Sequence, residues 1–163
     1  MQTTSTQTVT AATKNSLLRA LTIFTLVLLI IEFITGEITN LFVTIPSAHP
    51  GAASSALSGF LPGLGWALTQ SRQLALQVHG AIGLLLVLLA LVLIGLSMVR
   101  RQRPWMITSL IGGIGVLIAA LIGVGFVNSG QAVSSLLMAL GFLLALIAYA
   151  LGLYVTHTGQ VVR

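Results

Sequence analysis

The chain has 163 residues, 56% hydrophobic and only 6% charged, with seven Lys/Arg against two Asp/Glu and a net charge of +5. A water-soluble domain carries about 25% charged residues, so this composition excludes an ordinary soluble globule, and its hydrophobicity excludes a disordered chain. The absence of cysteine excludes disulfides, thiolate metal sites and cysteine nucleophiles, and the few cations form no basic, aromatic-interleaved face for nucleic acid.

Residues 1–15 are polar and rich in Thr and read as a disordered tail. The apolar stretch over about 17–38 follows Lys14 and contains Arg19. It is too long for the core of a secretory signal and ends in no small-residue cleavage site, which predicts a retained helix. Residues 42–71 break the pattern with Pro46, Pro50 and Pro62 among Gly, Ala and Ser. Within them Leu57, Phe60, Leu61, Leu64 and Leu68 fall at helical spacing beside Trp66, as in a short helix lying on the membrane. Pro62, Gly63 and Gly65 count against it.

Three further apolar runs follow, over about 73–99, 105–127 and 132–155. Each supplies the roughly 20 residues that cross the hydrocarbon layer, and their continuity favours helices over alternating strands. The links Arg100–Pro104 and Asn128–Gly130 are short enough to force helical hairpins. Pro104 suits a first helical turn and Trp105 a membrane interface. The fold class is therefore all-α: a polytopic membrane protein in which residues 16–157 form one bundle of four transmembrane helices, followed by a short tail over 158–163. Lys14, Arg19, Arg100, Arg101, Arg103 and Arg163 fall on one side of this arrangement and only Arg72 on the other. The positive-inside rule then places both termini in the cytoplasm and the loop over 42–71 outside.

Small residues predict the packing. Gly115, Ala119 and Gly123 recur every four residues, with Gly112 a turn earlier, and Ser134, Gly141, Ala145, Ala148 and Gly152 share a face of the last helix. Such stripes admit close backbone approach in lipid. They serve either the hairpin or oligomerisation, and the short link favours the hairpin.

Two carboxylates stand in or near the first span. Glu37 reads as a solvated helix end, whereas Glu32 lies inside the span and shares a face with Gly36 and Asn40. An intramembrane carboxylate must be protonated, paired or turned to the bundle interior. His79, preceded by Gln73 and Gln77, lies roughly 10 Å below the outer surface at about 1.5 Å per residue. Glu32 and Met138 come to similar depths by the same count, with Ser134 a turn above and Asn128 nearby. The expected site is a buried polar pair of Glu32 and His79.

Two cofactor readings use the same residues. A b-type haem needs two axial ligands at one level on facing helices. Met138 has the depth of His79 and can be an axial ligand, whereas His157 lies on the order of 25 Å away along the normal and nothing fixes His49. A metal site from Glu32, Glu37, His79 and His49 has suitable residue types but no ligand spacing. No nucleophile elbow, zinc-protease run or phosphate loop is present. The cytoplasmic halves of the spans read as almost purely apolar, which argues against a transport pathway within one chain.

Gly36, Asn40-Leu41, Pro46, His79, Asn128-Ser129-Gly130, Met138-Ala139, Gly141-Phe142 and Tyr149 together carry a resemblance. The chain resembles a group of uncharacterised bacterial four-helix integral membrane proteins over about three-quarters of its length. More distantly it is similar to one four-helix half of haem A synthase, a family that pairs histidines from two helices, with a carboxylate and an arginine near one of them. Here only His79 is suitably placed and no arginine follows it. The resemblance implies a multi-pass protein of a bacterial cytoplasmic membrane and no activity. The reading is of a non-enzymatic accessory or interaction subunit with a polar site in the outer leaflet, in contact with lipid and with a membrane partner or further copies of itself. A haem-binding cytochrome or haem-handling protein is the alternative, and an oligomeric solute or metal-ion transporter the third.

Overall fold

A computed structural model describes residues 4–161 apart from 53 and 55–57, with side chains over 16–155 apart from those residues and 132. Five helices follow one another: α1 (Thr4–Phe42), α2 (Phe60–Thr69), α3 (Leu74–Arg100), α4 (Arg103–Ser129) and α5 (Ala132–Val161). Among the described residues Ser16–Phe42, Leu74–Arg100, Arg103–Ser129 and Val133–Val155 are long and apolar enough to cross a membrane. The chain is an all-α, multi-pass membrane protein.

α1, α3, α4 and α5 form an up-and-down ring in chain order. Each packs on its neighbours, while the diagonal pairs α1/α4 and α3/α5 do not meet. The α4–α5 contact is the most extensive and the α1–α5 seam the shortest. α2 lies across α3 and α4 at the end of the bundle holding the 43–59 loop, here the loop end. The opposite end carries Arg100, Arg101 and Arg103 and is the arginine end.

Several boundaries depart from the sequence expectation. The disordered tail expected over 1–15 gives way to helix from Thr4, since the stretch from Thr4 to Asn15 holds neither Pro nor Gly to stop α1. At the other end α5 runs on to Val161, past the 132–155 expected for the last helix. α4 continues through Asn128 to Ser129, and the turn shrinks to Gly130 and Gln131. Gly130 closes α4 in the left-handed region, φ 66°, and donates its N–H to the Phe126 carbonyl. Pro104 sits in the first turn of α4 as expected. Trp105, expected at the membrane interface, is packed into the core with Leu18, Leu93 and Tyr149.

α2 forms despite Pro62. That residue occupies the first turn, where its missing N–H costs no helical hydrogen bond, and Gly63 N makes the 2.8 Å bond to the Gly59 carbonyl. Its buried face is Gly63, Trp66 and Ala67. The apolar stripe expected to lie on lipid is divided: Leu61 is exposed, Leu68 rests on Gly80 of α3, and Leu57 lies outside the described residues.

The inward face of α1 explains the core. Leu18, Thr22, Thr25, Leu29, Glu32, Gly36 and Thr39 recur at alternating spacings of four and three, and all but the half-buried Gly36 are buried. That spacing is the seam of a left-handed helix packing. Ile23, Phe24, Val27, Ile30 and Ile34 point outward and are exposed. The polar residues face inward and the apolar ones outward, as a lipid solvent demands.

Candidate functional site

The site begins with two helices carrying the same short pattern in opposite directions. On α1, Glu32 is followed one turn later by Gly36; on α3, His79 is followed one turn later by Gly83. The helices run antiparallel, so each charged side chain comes to rest on the other helix's glycine. A methyl group on Gly36 would lie 3.0 Å from His79 Cε1, and one on Gly83 would lie 3.0 Å from Glu32 Oε1. This double approach brings Glu32 Oε1 within 3.1 Å of His79 Nδ1, with both side chains largely withdrawn from the surface.

Thr35 joins the pair. Its hydroxyl lies 3.1 Å from the Glu32 carbonyl oxygen, 3.3 Å from Glu32 Oε2 and 3.5 Å from His79 Nδ1. One hydroxyl proton serves one acceptor at a time, so Thr35 acts as an adjustable donor to the carboxylate. His79 Nε2 has no hydrogen-bond partner among the described residues.

The pair forms part of the wall of a cavity of about 280 Å³ toward the loop end, to which all five helices contribute. The lining is mostly apolar, as in small-molecule pockets generally. Its polar members besides the pair are Glu37 and Asn40 of α1 and Ser135 of α5. Glu37 and Asn40 are exposed, as expected of a helix end near water. Met138 of α5 lines the same cavity as His79 of α3, its sulfur facing Gly123 of α4. Among the described residues no three His, Asp or Glu side chains converge closely enough to hold a metal ion.

His49, unconstrained by the sequence, is fixed elsewhere. Its ring stacks on Trp66 with centroids 4.2 Å apart. Nδ1 lies 3.0 Å from the Pro50 carbonyl oxygen and Nε2 lies 3.1 Å from that of Val127. Val127 is in the last turn of α4, where carbonyls lack helical partners, so an outside donor is favoured there. Beside it Asn128, expected to cap the turn, reaches across to the loop and donates from Nδ2 to the Gly59 carbonyl at 3.2 Å. Gly51, Gly59 and Gly63 surround this amide, and a Cβ on any of them would strike Asn128 or the loop. Gln73, which precedes His79 in the sequence, donates to the Thr44 carbonyl at 2.7 Å. These bonds fold the loop and α2 over the end of the cavity.

The predicted packing residues divide into two sets. Gly115 and Gly141 bring the backbones of α4 and α5 together: a methyl on Gly115 would lie 2.6 Å from the Gly141 carbonyl oxygen and 2.8 Å from Ala145 N. One on Gly141 would lie 3.0 Å from Ala119 N. Gly123 stands apart, meeting only the Met138 sulfur at 3.2 Å and lining the cavity.

Sequence reasoning missed three features. Thr35 carried no spacing signal of its own. The reciprocal glycines were visible as Glu-x-x-x-Gly and His-x-x-x-Gly, but only pairing the helices gives them meaning. The arginine-end half, read as almost purely apolar, buries Thr22, Thr25, Ser97, Ser109 and Tyr149. Thr22 and Thr25 donate to carbonyls one turn back at 2.8 Å, and Ser97 donates to the Ile94 carbonyl at 2.8 Å. Bonded in this way, hydroxyls cost little in an apolar bundle and blend into its hydropathy.

Compared with protein-family models, with curated proteins and with solved structures, the chain finds no match.

Proposed function

We propose that this multi-pass protein is a non-enzymatic accessory subunit that holds a small, mainly apolar molecule in the cavity at its loop end. The observation that supports this reading is the cavity itself, about 280 Å³ lined by five helices with one ion pair in its wall. Apolar pockets with a few placed polar groups are the usual form of a small-molecule site. By the positive-inside rule both termini are cytoplasmic and the cavity lies in the outer leaflet, in a bacterial cytoplasmic membrane. The test is mass spectrometry of small molecules co-purifying with the protein from native membranes, beside the cavity-filling variant Ala120→Leu. A molecule retained by the parent and lost from the variant supports the reading; equal retention by both removes it.

A second reading is haem binding, favoured by one feature. Histidines that ligate metals commonly donate their other ring nitrogen to a carboxylate, and His79 has Nδ1 on Glu32 with Nε2 unengaged. Met138, which lines the same cavity, supplies a second ligand type. An absorption spectrum decides: a Soret band lost in His79→Ala supports haem, and a colourless protein after haem reconstitution rejects it.

A further inference from the structure

We propose that the ligand of this cavity presents a carbonyl oxygen on a planar apolar ring, the chemistry of a lipid-dissolved quinone, and that His79 Nε2–H donates to it. The proposal rests on the reading of the cavity as a ligand site and names the ligand's class.

The first step is a proton count. Glu32 Oε1 and His79 Nδ1 are 3.1 Å apart, the distance of one hydrogen bond, which takes one proton between them. With that proton alone the pair carries one negative charge; with a second it is neutral overall. Desolvation disfavours the charged form within a lipid-embedded bundle. The other ionisable group on the cavity wall is Glu37 of α1, and α2, α3, α4 and α5 add no cation to that wall. The neutral pair has two arrangements, carboxylic acid with neutral imidazole or carboxylate with imidazolium. In both, Nδ1 is engaged with Glu32 and Nε2 carries a hydrogen.

The second step is satisfaction. His79 lines the cavity and its Nε2 has no partner among the described residues, and an N–H in apolar surroundings is costly until an acceptor meets it. An ionic ligand would lose its hydration in this mostly apolar cavity, Glu37 disfavours an anion, and the N–H repels a cation. A neutral acceptor remains, and a carbonyl oxygen matches a single N–H.

The third step is shape. Phe33 of α1 and Phe142 of α5 face one another across the shortest helix seam, ring centroids 5.8 Å apart, and both line the cavity. Aromatic rings offer faces and edges to a flat ring.

The experiment uses the full chain in phosphatidylcholine nanodiscs, titrated with a decyl-substituted benzoquinone and, separately, with decylbenzene, which has the tail and ring without carbonyls. Quenching of tryptophan fluorescence reads binding, Trp66 being on the helix that covers the cavity. The parent should bind the quinone saturably and about tenfold more tightly than decylbenzene, the worth of one good hydrogen bond. His79→Ala should lose about that tenfold. Glu32→Gln should retain affinity, since its amide still donates to Nδ1 and leaves the hydrogen on Nε2. Should His79→Ala fail to fold, the infrared band of a ¹³C-labelled quinone carbonyl in the parent reads the bond directly, and it should move to lower frequency on binding. Equal affinity for both probes, or a carbonyl band unchanged from that in lipid, overturns the carbonyl assignment while the cavity reading stands. Saturable binding of neither probe overturns both.

Discussion

Glu32 Oε1 lies 3.1 Å from His79 Nδ1, and each of these side chains rests on the glycine one turn along from the other. Neither residue reaches the other without both glycines, so the ion pair and the α1–α3 packing are one feature. Removing one partner of a buried pair typically costs about 3–5 kcal/mol. Both side chains keep some exposure here, so His79→Ala should cost about 2–3 kcal/mol by the same principle. Glu32→Gln should cost less, since the amide still meets the imidazole. A double-mutant cycle on thermal unfolding in detergent should show coupling of about 1–3 kcal/mol. Additive effects would show that the two residues contribute independently.

Much of this was legible in the sequence, and for a physical reason. Length and apolarity decide a transmembrane span almost alone, because lipid offers the backbone no hydrogen bonds. The cost of an isolated charge in lipid then predicts that Glu32 and His79 seek each other. What the sequence hid was rotation. Depth along a helix follows from counting residues, but which face of α1 meets which face of α3 depends on the packing. The hydroxyls Thr22, Thr25 and Ser97 were hidden because each is a single small polar residue among apolar neighbours, and Ser109 because it and Thr108 are a short interruption of such a run. His49 and Asn128 were hidden because their partners are backbone groups of residues 78 and 69 positions away.

The backbones of α4 and α5 approach most closely where Gly115 faces Gly141. A larger side chain at either position meets backbone atoms, which cannot rotate aside. Gly115→Leu or Gly141→Leu should each cost at least the ~1–3 kcal/mol typical of overpacking. Gly95→Leu, where a Cβ meets nothing within 4 Å, is the control and should melt like the parent. Gly123→Ala presses only on the flexible Met138 side chain and should be tolerated. Equal melting of the Gly115 and Gly95 variants would show that the close contact does not hold the bundle together.

Tyr149 is buried, its ring lies over Gly112, and its hydroxyl has no hydrogen-bond partner among the described residues. A buried hydroxyl without a partner costs about 1–3 kcal/mol. Tyr149→Phe keeps the ring and removes the oxygen, so it should leave the melting temperature unchanged or raise it. Gly112→Ala, which would press a methyl group to 2.7 Å from the ring, should lower it. A clear loss of stability in Tyr149→Phe would reveal a partner for the hydroxyl.

The loop closes over the cavity through two side chains of different origin. Asn128 reaches from α4 to the Gly59 carbonyl, and His49 reaches from the loop to the Val127 carbonyl. Each bond is worth about 1 kcal/mol, less than the cost of unfolding the bundle. Asn128→Ala and His49→Ala should therefore leave global melting nearly unchanged while releasing the loop. Limited proteolysis should cut the 43–59 segment faster in either variant, and fastest in the double variant. Gly51→Ala should act similarly, because its φ of +91° is unfavourable to a side chain. Unaltered cleavage in all three would mean that α2 alone holds the loop.

Orientation follows from cations rather than from packing. Among the described residues Lys14, Arg19, Arg100, Arg101 and Arg103 fall toward one end of the bundle and Arg72 toward the other. On the proposed orientation, the positive-inside rule puts the arginine end in the cytoplasm. With no cysteine in the sequence, one introduced thiol reports its own side. A cysteine at Ser54, exposed in the loop, should react with an impermeant maleimide in intact cells. A cysteine at Gln102, between α3 and α4, should react only after the membrane is opened. The reverse pattern would move the cavity to the inner leaflet, and its ligand would then enter from the cytoplasmic half of the bilayer. Moving Arg100, Arg101 and Arg103 to the 43–59 loop should weaken or invert the preference, because the rule acts through these charges and not through the helices they flank.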